Sequence, residues 1–471
     1  MSKILSGVVT LAAMCALSLF LSCGSSSSRP AGVLYTVTQG LNGSGNSVSS
    51  FGMNLDNGEL EYINSNASTC PTPSTTTDSN PCGLPVDILL DPRGATAFIL
   101  DQGVPTLNVA PAIYPYTVNS DGSLAGPGTA INWTSTTQPD LAVAMVRDAA
   151  GQFLFVIDQG AYPSPLNCPA AGTPGANNPM YVGCPSVSVF TMKQGSPTTL
   201  MLGSNSPYYT SKLPTALSAV ASPSSTNAQE LLFVTNNLDI CTVGCNPPHN
   251  DNTVSVYAIG SDGTLTEQKS SPYTVAATNP VSVMAVNTNP VGQPGLGGLF
   301  VYVGTNVQTG GGVYPFQICT VINAVCTTQA DVDLALLTPL QTCTQQCIPI
   351  PPTAAGLNPA QMAVDPTNNF LYVLSEGSSQ LFGFRVNTSQ GTLTALSPAS
   401  QPTGTQPFGM ALHASVNSQG QNIYSASGQF LYVSNTLSSN ITAFGLSTAN
   451  GTMSSLGTQI APAAPTGIAV H

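Results

Sequence analysis

Apolar residues recur along this chain in a pattern typical of β-strands. An aliphatic residue, two variable residues, an aromatic residue, one variable residue and a second aliphatic residue follow one another in seven separate segments. Short alternating runs of this kind, bounded by turn residues, predict strands. The aromatic positions of the seven copies are Phe51, Tyr116, Phe190, Tyr257, Phe316, Phe384 and Phe444. A repeat of this length predicts an architecture in which each unit is one small sheet.

The neighbours of each copy extend the pattern. Five copies are followed by a turn that contains Gly58, Gly122, Gly263, Gly391 or Gly451. Tight hairpins need a positive φ, so each copy is predicted to form a hairpin with the segment after it. An apolar run such as Phe370 to Leu374 precedes each copy and predicts a strand that is buried on both faces. Before all but the first run stands a segment led by proline, at Pro85, Pro139, Pro214, Pro280, Pro359 and Pro407.

The two ends of the repeat complement each other. A seventh segment led by proline, Pro465 to Val470, has no strands after it, while the first unit, from Val33, has no such segment before it. We therefore expect the C-terminal segment to supply the innermost strand of the first unit. The predicted fold is all-β: one seven-bladed β-propeller of four-stranded antiparallel blades over residues 32–471, without open sheet edges around the ring.

The repeat also resembles a known family. Phe370-Leu-Tyr-Val-Leu374 and Phe430-Leu-Tyr-Val-Ser-Asn435, together with the proline-led strands, resemble the lactonase-type seven-bladed propellers, the 6-phosphogluconolactonase-like family with Tyr-Val-Thr-Asn repeats. The resemblance covers essentially residues 32–471. It implies the propeller fold and suggests lactone hydrolysis, but these are scaffold residues and assign no catalytic group.

The N-terminus has the pattern of an export signal. Lys3 is followed by an apolar stretch to Leu21, and Phe20-Leu-Ser-Cys23 resembles the lipobox of bacterial lipoproteins. We expect a signal peptide over 1–22, lipid attachment at Cys23 and a serine-rich tether over 23–31. The protein would then face the periplasm or exterior from the bacterial cell envelope. An uncleaved membrane anchor, or cleavage and release, are the alternatives.

Ten further cysteines fall into close pairs. In an exported protein, local disulfides are the expected outcome, with metal binding as the alternative. The pairs are Cys70 and Cys82, Cys168 and Cys184, Cys241 and Cys245, Cys319 and Cys326, and Cys343 and Cys347.

Charge and motifs exclude several functions. Charged residues make up 6% of the chain, with eight Lys plus Arg and a net charge of -12. That composition excludes a basic nucleic-acid surface and disfavours a polybasic membrane patch. No nucleotide loop, Gly-x-Ser-x-Gly elbow or histidine-rich metal motif occurs, so we predict no cofactor and no metal. The expected partners are a glycan, a small neutral ligand or a protein, with the membrane reached through the lipid alone.

Polar and aromatic residues gather where one face of the propeller would carry its long loops. A ring of carboxylates and amides at the channel mouth could bind a sugar, a lactone or a cation, and exposed aromatic rings could stack on sugars. Turn formation and packing beneath the loops are the alternative explanations. The candidates are Asp87, Asp101, Asp140, Asp158, Asn236, Asn306, Asn435, Trp133, Tyr208 and Tyr209.

These features predict a binding or scaffold module that recognises a glycan or protein through its looped face. The alternative is a lactonase-like hydrolase that opens a sugar or related lactone, with Glu376 and His249 as the candidate catalytic residues. A structural surface-layer component is a third possibility, which would show itself by self-association.

Overall fold

A computed structural model describes the part of the chain that forms the repeat. The described residues are 32–39, 46–67, 84–104, 109–133, 140–160, 168, 173–174, 183–195, 197–210, 212–221, 230–239, 252–268, 271–275, 279–288, 298–306, 311–319, 337–343, 347–413, 429–461 and 464–471. The predicted signal peptide, Cys23 and the tether lie outside them. Within these ranges no helix is long and apolar enough to cross a membrane.

The described residues form strands and turns. In chain order the strands are β1 (Gly32–Thr38), β2 (Ser47–Met53), β3 (Leu60–Ala67), β4 (Pro85–Leu90), β5 (Thr96–Asp101), β6 (Ala112–Val118), β7 (Leu124–Ala125), β8 (Ala142–Arg147), β9 (Phe153–Asp158), β10 (Ser186–Lys193), β11 (Thr199–Leu202), β12 (Tyr208–Tyr209), β13 (Lys212–Ala221), β14 (Glu230–Asp239), β15 (Thr253–Ile259), β16 (Leu265–Glu267), β17 (Tyr273–Thr274), β18 (Pro280–Asn287), β19 (Leu299–Thr305), β20 (Gly312–Ile318), β21 (Leu337–Pro339), β22 (Gln341–Cys343), β23 (Cys347–Pro349), β24 (Thr353–Ala354), β25 (Pro359–Val364), β26 (Phe370–Ser375), β27 (Gln380–Val386), β28 (Leu393–Pro402), β29 (Pro407–His413), β30 (Gln429–Asn435), β31 (Asn440–Leu446), β32 (Met453–Ile460) and β33 (Pro465–Val470).

These strands build seven antiparallel sheets, which confirms the predicted seven-bladed propeller. Each blade has an inner, a second, a third and an outer strand, and in blades 3, 4 and 5 the outer position is divided between two short strands. From blade 1 to blade 7 the inner strands are β33, β4, β8, β13, β18, β25 and β29. The hairpin β22–β23 forms a small sheet of its own beside blade 5.

Strand β33 closes the ring as the sequence predicted. It pairs antiparallel with β1, with Leu34 opposite Val470 and Thr36 opposite Ile468. Blade 1 therefore combines residues from both ends of the described chain. Because of closure, the second strand of each blade pairs with a strand on both sides. In an open ring β1 would have β2 as its single partner.

The second strands form the buried layer of each blade. Strands β1, β5, β9, β19, β26 and β30 are buried along their whole length. Their side chains pack in clusters that lie between neighbouring blades, such as the cluster that joins Tyr372 of blade 6 to Phe444 of blade 7. The hydrophobic core is thus divided among the blade interfaces, and burial holds blades together side by side.

One inner strand begins later than the sequence indicates. The prediction placed the second proline-led segment at Pro139, which lies outside the described residues, and β8 begins at Ala142, which pairs with Asp158. Ala142 occupies the position that proline has in the other blades, and its N–H donates to the carbonyl oxygen of Gln102 in blade 2, at 3.2 Å. Proline would lack that donor.

Aspartates organise the turns between inner and second strands. The Asp365 carboxylate accepts hydrogen bonds from the N–H groups of Asn369 (2.8 Å) and Phe370 (2.7 Å), and Asp91 and Asp148 make the same pair of bonds in blades 2 and 3. The carboxylate satisfies two backbone donors that the turn would otherwise leave unpaired.

The hairpin glycines pack against the preceding blade. Gly391 and Gly451 have φ of 69° and 74°, and a Cβ on either would come within 2.3 Å of Phe300 or Phe370. Both the backbone conformation and the close approach therefore require glycine. Their carbonyl oxygens accept hydrogen bonds from Tyr302 and Tyr372 of the preceding blades, both at 2.9 Å.

We predict that Tyr372→Phe lowers the free energy of unfolding by about 1 to 2 kcal/mol, because it leaves the Gly451 carbonyl buried without its donor. Denaturant unfolding of the purified protein measures this difference. Tyr116→Phe is the matched control, since the Tyr116 hydroxyl is buried and has no hydrogen-bond partner among the described residues. An equal loss in both variants would show that the bond to Gly451 contributes nothing.

Candidate functional site at the channel mouth

The inner strands all begin at one face of the propeller, which we call the upper face. The connections from outer to inner strands and from second to third strands also lie there. A disulfide joins Cys168 to Cys184 in such a connection in blade 3. This is one of the five predicted pairs. Cys343 and Cys347 face each other as backbone partners in β22–β23, and the other three pairs include residues outside the described ranges.

A ring of seven polar residues surrounds the upper end of the channel. Each member directly follows the second-strand residue that pairs with the proline at the start of the inner strand, or with Ala142 in blade 3. The backbone N–H of six members donates to the carbonyl oxygen of the residue before the inner strand. We call this set the mouth ring; its members are Gln39, Gln102, Gln159, Asn237, Asn306, Glu376 and Thr436.

Several ring side chains reach the next blade. Gln39 and Gln159 donate to the carbonyl oxygens of Pro85 (3.1 Å) and Pro214 (3.0 Å). Thr436 donates to the carbonyl oxygen of Pro465 at 2.8 Å. These amides and hydroxyls are therefore held in place by the scaffold, as a pre-formed site requires.

Glu376 is the one carboxylate in the mouth ring. Its Oε2 accepts a hydrogen bond from Asn358 Nδ2 at 2.6 Å, and its Oε1 lies 3.4 Å from Gln406 Nε2. The Asn358 Oδ1 atom is buried and has no hydrogen-bond partner among the described residues. The site thus offers a half-buried carboxylate held between two side-chain amides.

The two amides that contact Glu376 stand at equivalent turns. Asn358 and Gln406 come immediately before the prolines of β25 and β29, and their φ angles are 51° and 53°. Asn279 and Ala464, which stand before Pro280 and Pro465, have the same left-handed conformation, so it is a recurrent feature of this turn. In blades 6 and 7 it accompanies side-chain amides that contact Glu376.

Four predicted residues lie one position before the mouth ring and turn into their blades. Asn236 donates to Ser255 Oγ at 3.0 Å, and Asn435 donates to Thr442 Oγ1 at 2.9 Å. Asp101 and Asp158 occupy the equivalent position and are 2% and 0% exposed. Successive strand side chains point to opposite sides, so the residue after each of these four points to the other face of its blade. Asn306 and Glu376 are the predicted candidates that lie in the ring itself.

The sequence did not single out Gln39, Asn237, Thr436, Asn358 or Gln406. The available signal was positional, because each ring member follows the polar end of a second strand. The binding role of the earlier candidates stays a prediction. His249 lies outside the described residues.

The aromatic candidates pack against the blades. Tyr208 and Tyr209 are 2% and 4% exposed, and they extend blade 3 by pairing with β10. Trp133 is half-buried and packs edge to face on Phe190 with ring centroids 5.5 Å apart. The two tyrosines therefore present no open ring face.

Asp87 lies on inner strand β4, below the mouth. Its carboxylate accepts hydrogen bonds from the N–H groups of Met145 in blade 3 (3.1 Å) and Ile88 (2.9 Å). Burial raises the pKa of Asp87 to about 6, against the lowering effect of these two bonds. It therefore joins two blades and supplies a negative charge at neutral pH.

Asp140 and Asp158 form a buried carboxyl pair at the upper end of blade 3. Asp158 Oδ1 accepts N–H bonds from Leu141 (3.1 Å) and Gly160 (2.7 Å), while Asp158 Oδ2 and Asp140 Oδ1 have no hydrogen-bond partner among the described residues. Burial raises the pKa of both groups, and the charge of Asp158 raises that of Asp140 further. The pair therefore holds a proton to higher pH than an exposed carboxyl does.

The described residues contain no group of three or more His, Cys, Asp or Glu side chains that could hold a metal ion. The side chains of the mouth ring carry carboxylate, amide and hydroxyl groups. These groups can take a proton from water and donate to a carbonyl oxygen.

Comparison with known proteins supports the fold. The family described as "Lactonase, 7-bladed beta-propeller" matches residues 344–470, which span blades 6 and 7 and the closing strand. The chain resembles the lactonase-type propellers, as its sequence indicates. A search of curated proteins finds no match. The matched segment contains Asn358, Glu376 and Gln406.

Solved structures share the architecture at low sequence identity. A protein from Bacteroides uniformis, provisionally named a 6-phosphogluconolactonase, is 13% identical, with a TM-score of 0.57 and coverage of 93% of this chain and 99% of that one. A similarly named protein from Bacteroides fragilis is 14% identical, with a TM-score of 0.55 and coverage of 94% of this chain and 98% of that one. A protein from Lactobacillus plantarum is 13% identical, with a TM-score of 0.56 and coverage of 93% of this chain and 99% of that one. Likeness at this identity shows the fold alone.

We predict that the free energy of unfolding falls as pH rises from about 4 to about 8. A carboxyl whose pKa is higher in the folded state favours folding below its unfolded pKa, and that contribution is lost as pH rises through the folded value. Asp140→Asn should flatten this dependence, as measured by denaturant unfolding across the pH range.

Asp56→Asn is the control, because this carboxylate is exposed on a hairpin and should leave the pH slope unchanged. An unchanged slope in Asp140→Asn would show that the pair does not govern stability.

Proposed function

We propose that this protein is a lactone hydrolase with Glu376 as the general base. The observation that carries the proposal is the position of the Glu376 carboxylate in the mouth ring, held by Asn358 and Gln406 within the segment that the lactonase family matches. A base on a rigid ring meets the geometric requirement for proton abstraction better than one on a mobile loop.

The reaction uses these groups in a simple sequence. Glu376 takes a proton from a water molecule as the water oxygen attacks the lactone carbonyl carbon. Asn358 Nδ2 holds the Glu376 carboxylate in position, and the second N–H of the exposed Gln406 amide can donate to the developing oxyanion. The ring C–O bond then breaks, and the leaving alkoxide receives the proton, which gives a hydroxy acid.

The distribution of positive charge favours an uncharged substrate. The eight Lys and Arg residues are Lys3, Arg29, Arg93, Arg147, Lys193, Lys212, Lys269 and Arg385. Of these, Lys212 begins an inner strand at the upper face, whereas Arg93 and Arg147 follow inner strands at the opposite end. Arg385 lies over the Phe370 ring, 4.9 Å from its centroid. A phosphorylated lactone would lack the clustered cations that bind phosphate.

The cell envelope is the proposed location. The signal pattern over 1–22 and the lipobox-like Cys23 support export and anchoring, and the Cys168–Cys184 disulfide suits an oxidising compartment. The alternative binding function has less support, because Tyr208, Tyr209 and Trp133 are packed rather than displayed for stacking on a glycan.

The test is hydrolysis of a panel of unphosphorylated sugar and aliphatic lactones by the full-length protein, corrected for the uncatalysed rate. We expect Glu376→Gln to lower kcat by about 10²-fold or more with a smaller change in KM, since the amide cannot accept the proton.

Glu61→Gln is the matched control, because Glu61 is an exposed carboxylate on the outer strand of blade 1. Absence of turnover in folded wild-type protein, or full activity in Glu376→Gln, would reject this function.

A further inference from the structure

Exposed apolar side chains are few in the described part of the molecule, and three of the nine largest lie at the channel mouth. The other six lie on outer strands or on the β22–β23 hairpin: Tyr62, Met201, Leu202, Ile348, Leu456 and Ile460. The three at the mouth are Leu357, Phe408 and Leu437, with exposed fractions of 42%, 36% and 70%. We call these three the apolar patch.

Short backbone connections tie the patch to Glu376. The carbonyl oxygen of Leu357 accepts the N–H of Gly377 at 2.9 Å, so Leu357 lies against the turn that carries Glu376. Phe408 is two residues after Gln406, whose amide reaches Glu376. Leu437 follows Thr436, whose N–H donates to the Gln406 carbonyl at 2.9 Å.

The fold does not require these side chains. The turns that begin at Glu376 and Thr436 have the same shape, with φ of 52° at Ser379 and 51° at Ser439, but blade 6 has Gly377 where blade 7 has Leu437. A small residue therefore suffices for that turn.

Phe408 is exposed for a different local reason. It is the extra residue of the bulge between Pro407 and Gly409, so no residue of β30 lies opposite it. The equivalent bulge residue of blade 2, Val86, is 7% exposed. A large aromatic ring at this position covers part of the channel mouth beside the proposed base.

We propose that the substrate is a lactone that carries an apolar chain, an alkyl or acyl substituent, and that this chain lies on Leu357, Phe408 and Leu437 while the ring meets Glu376. The inference rests on the proposed function. An apolar chain would remove the patch from water, which favours binding in proportion to the area covered.

The test compares γ-lactones with saturated side chains of increasing length, used below the concentration at which they aggregate, on the full-length protein. We expect kcat/KM to rise by up to about fourfold per methylene until the chain outgrows the patch. Leu437→Ser should flatten that rise. Ile460→Ser is the matched control, because Ile460 is 82% exposed on the outer strand of blade 7.

Binding of the corresponding cyclic ethers, which have no carbonyl to hydrolyse, separates this inference from the hydrolase proposal. Turnover without dependence on chain length would overturn the apolar-chain substrate and keep the hydrolase. Chain-dependent ether binding that Leu437→Ser weakens, without lactone turnover, would keep the apolar-chain ligand and overturn hydrolysis. Neither turnover nor binding would overturn both.

Discussion

Hydrogen bonds between neighbouring blades converge on one backbone atom, the carbonyl oxygen of the proline that opens an inner strand. The carbonyls of Pro85, Pro214, Pro280, Pro359 and Pro465 each accept a bond from a hydroxyl or amide of the preceding blade. Proline has no N–H to pair, but its carbonyl remains a full acceptor. Each proline carbonyl therefore ties its blade to the preceding blade. Three members of the mouth ring, Gln39, Gln159 and Thr436, donate these bonds.

Closure by β33 extends this arrangement around the whole circle. Thr436 of blade 7 donates to Pro465 in the closing strand, and Thr466 of that strand donates to Pro85 of blade 2, both at 2.8 Å. Farther from the axis, Tyr432 of blade 7 donates to the carbonyl of Gly58 in blade 1 at 3.0 Å. The blade completed by residues from two distant parts of the chain is therefore bonded like the others, and Glu376 is held by a ring rather than by one blade.

Charge and polarity are divided between two sectors of this ring. Blades 2 and 3 carry Asp87, Asp140 and Asp158, whose pKa values burial raises. Blades 6 and 7 carry the Glu376 cluster and the apolar patch. The acidic sector gains stability from protonation, whereas the sector with Glu376 combines a fixed carboxylate with uncovered apolar surface. That combination suits chemistry on a neutral, partly apolar molecule.

The sequence by itself determined the repeat, the copy number and the closure, because these depend on local strand and turn preferences that recur in each unit. The hairpin glycines and the inner-strand prolines were readable for the same reason. The second-strand tyrosines that bond to a hairpin glycine of the next blade are a further signal of this kind. Three blades have phenylalanine at this position, at Phe98, Phe155 and Phe233. Two of these three blades precede a blade whose hairpin lacks the glycine acceptor.

The tertiary structure alone decided which polar residues meet at the mouth. Asp101, Asp158, Asn236 and Asn435 mark the ends of the second strands, but a shift of one residue in a strand reverses the direction of the side chain. The mouth ring is therefore formed by the residues that follow them. Asn358 and Gln406 approach Glu376 from other segments of the chain, and a contact between separate segments leaves no local pattern in the sequence.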